Sequence, residues 1–213
     1  MTATPSQLGR PVGADGEQTR RRIITATMRC VAEVGYSQTT IRGIARGAEM
    51  TSGTLYHYFP NKSELLRATD EEVEAIVLPR LRAAAALTDD PLDRLDAVLD
   101  ESKRLFRDYP SLAAYLHAVR AQSPLRVVVA EIVEDARVRG ILSPDADTGA
   151  AVEAICALTR GLSERAGGLE PGAYEATLSS VKKLIRGSLF ARPSRLLGSR
   201  PTSRAPHRSA PDP

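Results

Sequence analysis

A short stretch, residues 51–59, carries side chains of the kinds that contact DNA. Hydroxyl groups can hydrogen-bond to base edges or phosphates, and aromatic rings can contact phosphates or the methyl group of thymine. A glycine in such a stretch permits close approach of the backbone. The candidate contacts are Ser52, Gly53, Thr54, Tyr56 and His57.

Helical spacing decides which of these side chains can face outward. Leu55 and Phe59 are four residues apart, so they share one helix face and are predicted to pack inward. The alternative, in which the aromatic residues fill a core, holds for Phe59 and in part for Tyr58. It fails for Tyr56 and His57 together, because adjacent residues cannot both face inward beside Leu55.

Capping residues and apolar spacing predict that this helix is the third in the chain and that a fourth follows it directly. The second helix begins at Thr39 or Thr40, and Thr51 caps the third after a tight turn. The fourth begins at Lys62, where a phosphate oxygen can bind, and extends to about residue 86. Helices two and three would form a helix-turn-helix, whose second helix enters the DNA major groove.

The first helix is predicted over residues 18–34, with Gly35 as its C-cap. Three arginines, residues 20–22, would then crowd its first turns, where positive charge opposes the helix dipole. A phosphate backbone would offset that cost, and a solvated basic end is the alternative. The predicted inward face consists of Ile23, Thr27, Cys30, Val31 and Val34.

Charge and composition divide the chain into four parts. Residues 1–18 are polar and are predicted to be a flexible arm, whose Arg10 could touch DNA. Residues 19–66 carry a net charge of +4, whereas residues 67–191 carry −4. Residues 192–213 carry +4, are rich in Arg, Pro and Ser, and are predicted to be disordered, with a non-specific nucleic-acid contact as the alternative.

The region 67–191 is predicted to be helical because no window alternates with period two. Prolines and glycines divide it into segments at about 91–108, 110–121, 125–140, 146–166 and 171–190, after the long fourth helix. The expected fold class is therefore all-α, with an N-terminal three-helix DNA-binding domain and a C-terminal helical bundle.

The helix-turn-helix region resembles the DNA-binding domain of the TetR (tetracycline repressor-like) transcriptional regulators. The resemblance covers residues 19–66 and includes Gly35-Tyr36, Thr39, Ile44-Ala45, the run from Gly53 to Phe59, and Lys62. It implies a homodimer that binds a palindromic operator and is released by a small molecule held in the C-terminal domain. By position, the implied DNA contacts are Thr39, Thr40, Arg42, Ser52, Gly53, Thr54, Tyr56, His57 and Lys62.

Two residues depart from the family pattern. Glu49 occupies the turn position where glycine is usual, and a left-handed backbone there would cost about 1–2 kcal/mol. Gly43 stands where a charged helix residue is common, which weakens the second helix by about 1 kcal/mol relative to Ala. Neither departure removes a donor that DNA contacts need.

The resemblance also implies a four-helix dimer interface formed by residues 146–166 and 171–190 of each chain. A two-fold dimer reads two half-sites, which raises affinity and specificity. An intramolecular bundle is the alternative. The apolar residues available for the interface are Ala150, Ala154, Ile155, Leu158, Leu162, Leu178, Val181, Leu184, Ile185 and Leu189.

An effector pocket is expected between helices of the C-terminal bundle, mostly apolar with a few polar groups. For each candidate the alternative is a packed or surface residue, and the sequence does not identify the effector. The candidates are Leu99, Phe106, Tyr109, Tyr115, Leu116, His117, Arg120 and Thr159.

No metal, cofactor or catalytic site is expected. The three histidines are scattered, and Cys30 and Cys156 are predicted to be reduced core residues. No secretory signal or membrane-spanning run is present, so the cytoplasm is the expected location. The leading hypothesis is a ligand-responsive transcriptional repressor; the alternatives are a non-specific architectural DNA-binding protein and, with no supporting motif, a helical-bundle enzyme.

Overall fold

The computed structural model describes residues 12–119, 123–165 and 170–190, and within these ranges the chain folds into nine α-helices without a β-strand. The predicted all-α class is confirmed. The helices are α1 (Val12–Val34), α2 (Ile41–Gly47), α3 (Ser52–Tyr58), α4 (Lys62–Ala85), α5 (Pro91–Asp108), α6 (Leu112–Val119), α7 (Pro124–Val138), α8 (Thr148–Arg165) and α9 (Pro171–Ser188).

The N-terminal helices surround a small apolar core. Ile23 and Val31 of α1, Ile44 of α2 and Leu55 of α3 are fully buried together with Leu65 of α4. The spacing of these residues explains the arrangement, because each helix has a single apolar face and all of these faces meet at one centre. This core fixes the position of α3, whose other face is left open to solvent.

The C-terminal helices form a bundle that continues from α4. Helix α4 packs against α5 and α7, α7 packs against α8, and α8 packs against α9. Helix α6 packs against α1, so the bundle is in direct contact with the N-terminal module. The fold therefore connects α3 to the bundle through α1 and α4.

Helix α9 packs against α8 and is attached to α5 by ion pairs. Lys182 Nζ lies 2.6 Å from Asp100 Oδ1. Arg186 Nη2 lies 2.7 Å from Asp93 Oδ1 and 2.7 Å from Asp96 Oδ2. These carboxylates raise the pKa of the Arg186 guanidinium by hydrogen bonding to it. Three acidic side chains of α5 are therefore paired with basic side chains of the same chain.

The prediction for the start of the first helix was wrong. Helix α1 begins at Val12 rather than near residue 18, so residues 12–18 are not part of a flexible arm. The extra turns carry local stabilising contacts: Thr19 Oγ1 donates to the carbonyl of Asp15 over 2.8 Å, and Arg21 Nε lies 3.3 Å from Glu17 Oε1. The rest of the predicted arm, including Arg10, lies outside the described residues, as does the tail at 192–213.

The earlier start also changes the interpretation of the three arginines at residues 20–22. They lie in the interior of α1 rather than in its first turn, so the expected opposition to the helix dipole does not arise. At the other end, Val34 is exposed rather than part of the inward face. Gly35 takes the predicted left-handed conformation with φ of 82° and ends the helix.

No helix in the described part of the chain combines the length and apolarity needed to cross a membrane.

Candidate DNA-binding interface and effector cavity

Helix α3 is held at its start by a threonine cap. Thr51 Oγ1 accepts a hydrogen bond from the Thr54 amide over 3.1 Å and lies 3.0 Å from Thr54 Oγ1. This confirms Thr51 as the predicted N-cap and satisfies an amide that would otherwise have no helical partner. The cap thus sets the orientation of the first turn of α3.

The outward face of α3 carries the side chains that the sequence predicts. Tyr56 is 51% exposed, and Gly53, Thr54 and His57 are also exposed, whereas Leu55 on the opposite side is fully buried. Ser52 is half-buried at the first turn. The structure therefore brings these five predicted contact residues together on one accessible surface.

Aromatic side chains at the end of α3 make contacts beside this surface. The rings of His57 and Tyr58 meet edge to face with their centroids 5.7 Å apart, and Tyr58 is half-buried. Phe59 is buried directly after α3, and the Arg20 guanidinium lies 5.4 Å from the centroid of its ring. A cation over an aromatic ring is attractive. Arg20 of α1 is therefore tied to the end of α3.

The start of α2 places two neighbouring threonines differently. Thr40 is exposed, and its Oγ1 accepts a hydrogen bond from the Gly43 amide over 3.1 Å, which confirms it as the N-cap. Arg42 in the first turn is exposed as well. Thr39 is only 1% exposed, and its hydroxyl donates to the Gly35 carbonyl over 2.8 Å. The geometry therefore does not support the predicted DNA contact by the Thr39 side chain, because its hydroxyl is used inside the module.

Lys62, at the start of α4, stabilises the loop after α1. Its Nζ donates to the carbonyl oxygens of Tyr36 and Ser37 over 3.1 and 3.2 Å. A lysine ammonium has three donors, so one remains for a phosphate. Asn61 caps α4 beside it, with the Glu64 amide donating to Asn61 Oδ1 over 2.9 Å. Lys62 thus combines a structural role with a predicted phosphate contact.

Gly43 has a packing role that the sequence did not reveal. A Cβ atom at this position would lie 3.2 Å from Thr40 Oγ1 and 3.5 Å from Cys30 Sγ. A side chain at this position would have to fit beside the capping hydroxyl of Thr40 and the thiol of Cys30.

The turn between α2 and α3 contains the expected backbone strain. Glu49 has φ of 55°, and it is the one non-glycine residue with positive φ among the described residues. Its amide donates to the Arg46 carbonyl over 3.1 Å, and the next amide, of Met50, donates to the Ala45 carbonyl over 2.9 Å. The hydrogen bonds of the turn hold Glu49 in this conformation.

We expect Glu49→Gly to stabilise the protein. Removing the side chain relieves the strain of the left-handed backbone, about 1–2 kcal/mol. Glycine also raises the conformational entropy of the unfolded chain, which offsets part of this gain and leaves a net stabilisation of about 1 kcal/mol. Glu49→Ala is the matched control, because it removes the carboxylate but keeps the strain. Chemical denaturation of the three proteins measures the effect, and equal gains for both variants would assign it to charge instead.

A cavity opens between α5, α6, the start of α7 and α8. Phe106, Leu116 and Leu125 supply apolar walls, and Thr159 with Ser163 supplies hydroxyls. The cavity encloses about 580 Å³ when its mouth is counted, but only about 70 Å³ is clear for water-sized molecules. An effector of ordinary size therefore needs the cavity to widen.

Four of the predicted effector residues line this cavity: Phe106, Leu116, His117 and Thr159. Leu99 is instead buried in the core, and Tyr109 is exposed at the end of α5. Tyr115 also does not line it. The predictions for these three residues are not supported by the geometry, because α5 and α6 turn those positions away from the cavity. Arg120 lies outside the described residues.

Further cavity residues on α8 were missed. Cys156 and Ser163 flank Thr159 at spacings of three and four residues, so all three share one face of the helix. That spacing was available in the sequence and could have identified them. Arg160 also lines the cavity, and His117 Nδ1 lies 3.1 Å from Glu164 Oε1 at its edge.

Tyr115 connects α6 to α4. Its phenol donates a hydrogen bond to Asp70 Oδ1 over 2.5 Å, and the residue is almost fully buried. Burial, followed by the hydrogen bond to Asp70, raises the pKa of Tyr115. Its neighbours Leu116 and His117 line the cavity, so one short helix reaches both the cavity and the helix that begins at the DNA-binding module.

We expect Cys156 to react slowly with alkylating reagents. Burial raises the pKa of its thiol from 9.0 to about 11, and only the thiolate is nucleophilic. At pH 8 the shift lowers the thiolate population about 100-fold relative to the unfolded chain. Iodoacetamide labelling of a Cys30→Ser variant, with and without denaturant, measures the ratio. Equal rates in the two conditions would contradict the burial of this thiol.

The outer surface of α8 and α9 has an apolar component. Leu184 is 61% exposed and Leu158 is 38% exposed, and Ala150 and Ala154 are exposed on α8. Five other predicted interface residues are instead buried within the chain: Ile155, Leu162, Leu178, Val181 and Ile185. They pack α8 and α9 onto the bundle, and Leu189 is half-buried there.

Residues 23–69 match the family model described as bacterial regulatory proteins, tetR family. The chain is 35% identical over 103 residues to the HTH-type transcriptional repressor KstR of Mycolicibacterium smegmatis, which covers 47% of this chain and 50% of that protein. It is 37% identical over 86 residues to the HTH-type transcriptional regulator BetI of Stenotrophomonas maltophilia, covering 38% of this chain and 42% of that protein. The matches thus span half or less of these curated relatives.

Solved structures resemble the fold over most of its length. A TetR family transcription regulator from Marinobacter aquaeolei superposes with a TM-score of 0.70 and 21% sequence identity, covering 85% of this chain and all of the other. The ketosteroid transcriptional regulator KstR2 of Mycobacterium tuberculosis superposes with a TM-score of 0.64 and 20% identity, covering 81% and 95%. At these identities the likeness concerns the architecture.

Proposed function

The chain belongs to the TetR family of bacterial regulatory proteins through its domain at residues 23–69, and from this premise we propose that it is a ligand-responsive transcriptional repressor. In this proposal a homodimer binds a palindromic operator, and a small molecule in the C-terminal bundle releases the DNA. The exposed row of polar and aromatic side chains on α3 carries the proposal, because these groups contact no core and suit the edges of bases.

The charge around α3 supports binding to DNA. Arg42 and Arg46 on α2 are exposed, and the region 19–66 has a net charge of +4. Positive side chains release counterions from the phosphate backbone on binding and supply most of the non-specific affinity. Arg42, the exposed N-cap Thr40, and the remaining donor of Lys62 position the protein, while the residues of α3 select bases.

The exposed apolar surface of α8 and α9 supports a homodimer. Leu158 and Leu184 project from helices whose buried faces already serve the bundle, so they are free to pack against a second copy. A two-fold axis between the copies presents two α3 helices to the same face of DNA, about one helical turn apart. A palindromic operator is the sequence counterpart of that symmetry.

The cavity and α6 support release by a small molecule. An effector that widens the cavity moves α6 or α8, since both helices line it. A shift of α6 alters the hydrogen bond from Tyr115 to Asp70 and the packing of α6 on α1. Both changes reposition the DNA-binding module. The effector suited to this site has an apolar body and a group that hydrogen-bonds to Thr159 or Arg160.

Repression follows from steric competition between a dimer on its operator and RNA polymerase, and relatives such as KstR are named as repressors. A regulator of this kind acts where chromosomal DNA is, so we place it in the cytoplasm.

Footprinting on the DNA around the gene for this protein tests the proposal. We expect a discrete protected site with two-fold symmetry, and affinity that falls steeply as salt rises. Protection that spreads evenly over unrelated DNA would instead indicate an architectural DNA-binding protein. Mass spectrometry of small molecules that copurify with the protein then supplies effector candidates, and a genuine effector abolishes the footprint.

A further inference from the structure

A second cavity lies at the junction between the DNA-binding module and the bundle, apart from the effector cavity. Ile24 and Met28 of α1 form its buried floor, and Ile76 of α4 forms one wall. The residues after α5, including Tyr109 and Pro110, form the other wall. We name this site the junction groove.

The junction groove has room for a small molecule in the described conformation. About 240 Å³ is clear within it, against about 70 Å³ in the effector cavity. Its surface is mostly apolar, and the Tyr109 ring is partly exposed at its side. An apolar or aromatic body can therefore replace water there and gain from leaving the solvent.

The charges at the groove favour a cation. Asp108 is already held by Arg80 and Arg107, at 3.0 and 3.3 Å, and these contacts lower its pKa. Arg21 is paired with Glu17. Glu72 is half-buried and has neither an ion pair nor a hydrogen-bond donor to its side chain among the described residues. The one lining charge without a partner there is thus negative, beside an apolar surface.

We propose that the junction groove binds a small organic cation, with its aromatic or cyclic body between Met28 and Tyr109 and its protonated amine at Glu72. An amine there forms a charge-assisted hydrogen bond with the carboxylate and can also contact the face of the Tyr109 ring. The cation neutralises a charge that is otherwise unpaired next to apolar side chains.

An occupant of the groove contacts both structural units. Its floor belongs to α1 of the DNA-binding module, and its far wall belongs to the segment between α5 and α6. It therefore favours one relative position of the two units. If the cation binds DNA-bound and free protein with different affinities, linkage requires that it change the affinity for DNA by the same factor. The junction groove would then regulate DNA affinity in addition to the effector cavity. Binding of the cation to the groove does not itself depend on the proposed recognition of DNA.

Three probes of matched shape test the proposal on the full-length protein by isothermal titration calorimetry. They are 1-naphthylmethylamine, 1-naphthylmethanol and 1-naphthoic acid, which share an aromatic body and carry a positive, neutral and negative group. We expect the amine to bind about tenfold more tightly than the alcohol and the acid to bind most weakly. Equal affinities for the amine and the alcohol would overturn the proposal.

Variants locate the site. Glu72→Gln should weaken amine binding about tenfold, to the level of the alcohol, and leave alcohol binding unchanged. Glu74→Gln removes a carboxylate from an exposed position two residues away that does not line the groove, so it should change nothing. Thr25→Phe, on the exposed rim of the groove, should block both the amine and the alcohol by filling the space. Amine binding that survives both Glu72→Gln and Thr25→Phe would place the ligand elsewhere and reject the proposal.

Discussion

Replacing Tyr56 and His57 together with alanine is expected to lower operator affinity at least 100-fold. Both side chains are exposed on α3 and contribute nothing to the buried core, so the loss falls on DNA contacts. A good contact to a base contributes about 1–3 kcal/mol, and two lost contacts multiply in the binding constant. Electrophoretic mobility shifts with the operator measure the effect.

The same variant should keep its non-specific affinity. Arg42, Arg46 and Lys62 are unchanged, and the salt-dependent attraction to phosphates depends on them. Thermal unfolding and sedimentation should also match the original protein. Leu87→Ala is the control, because Leu87 is exposed in the turn after α4 and away from α3. Unchanged operator affinity in the double variant would remove α3 from its assigned role.

Leu184→Glu is expected to convert the proposed dimer to a monomer. Leu184 is highly exposed on α9, so the change costs little within one chain. In the proposed four-helix interface, the two copies would bury two carboxylates in place of two leucines. An unpaired buried charge costs several kcal/mol, which raises the dimer dissociation constant at least 100-fold.

Sedimentation velocity over a range of concentrations measures this change. Leu87→Glu makes the same substitution at an exposed leucine outside α8 and α9, so it should leave the dimer intact. The monomeric variant should also lose most of its operator affinity, because each α3 alone reads one half-site. A Leu184→Glu protein that sediments like the original would show that α9 does not form the interface.

Local signals in the sequence were sufficient to predict the DNA-binding module. Thr40, Thr51 and Asn61 are the capping residues that the structure shows, and the spacing from Leu55 to Phe59 assigned the inward face of α3. Capping and periodicity depend on residues close in sequence, which is why they can be recognised without a structure. The turn residue Glu49 also has the predicted positive φ.

Two of the errors concern contacts between residues four positions apart, and a third concerns a contact between distant residues. Thr39 is buried, and both its hydroxyl and its amide donate to the Gly35 carbonyl in the loop after α1, a local arrangement that the helix-capping pattern does not describe. Glycine and aspartate in residues 12–18 indicated an arm, but contacts along the helix extend α1 through them. Tyr115 was a candidate pocket residue, yet its hydroxyl donates a hydrogen bond to Asp70 in another helix.

The apolar residues of α8 and α9 show a further limit of sequence patterns. Ile155 and Leu184 are equally apolar, but one is fully buried in the chain and the other is exposed. Periodicity identifies an apolar face without saying whether the same chain or a second copy covers it. The packing of α9 on α5 through Lys182 and Arg186 assigns the inner face, and the opposite face is left for the proposed dimer.

The central claim is that exposed residues of α3, presented twice by a dimer, select a DNA sequence. Selection of bound molecules from random double-stranded DNA tests it most directly. We predict an enriched palindrome whose half-sites are centred about one helical turn apart, and loss of that enrichment with the Tyr56 and His57 double variant. Recovery of unenriched DNA, or of the same palindrome with the double variant, would contradict the claim.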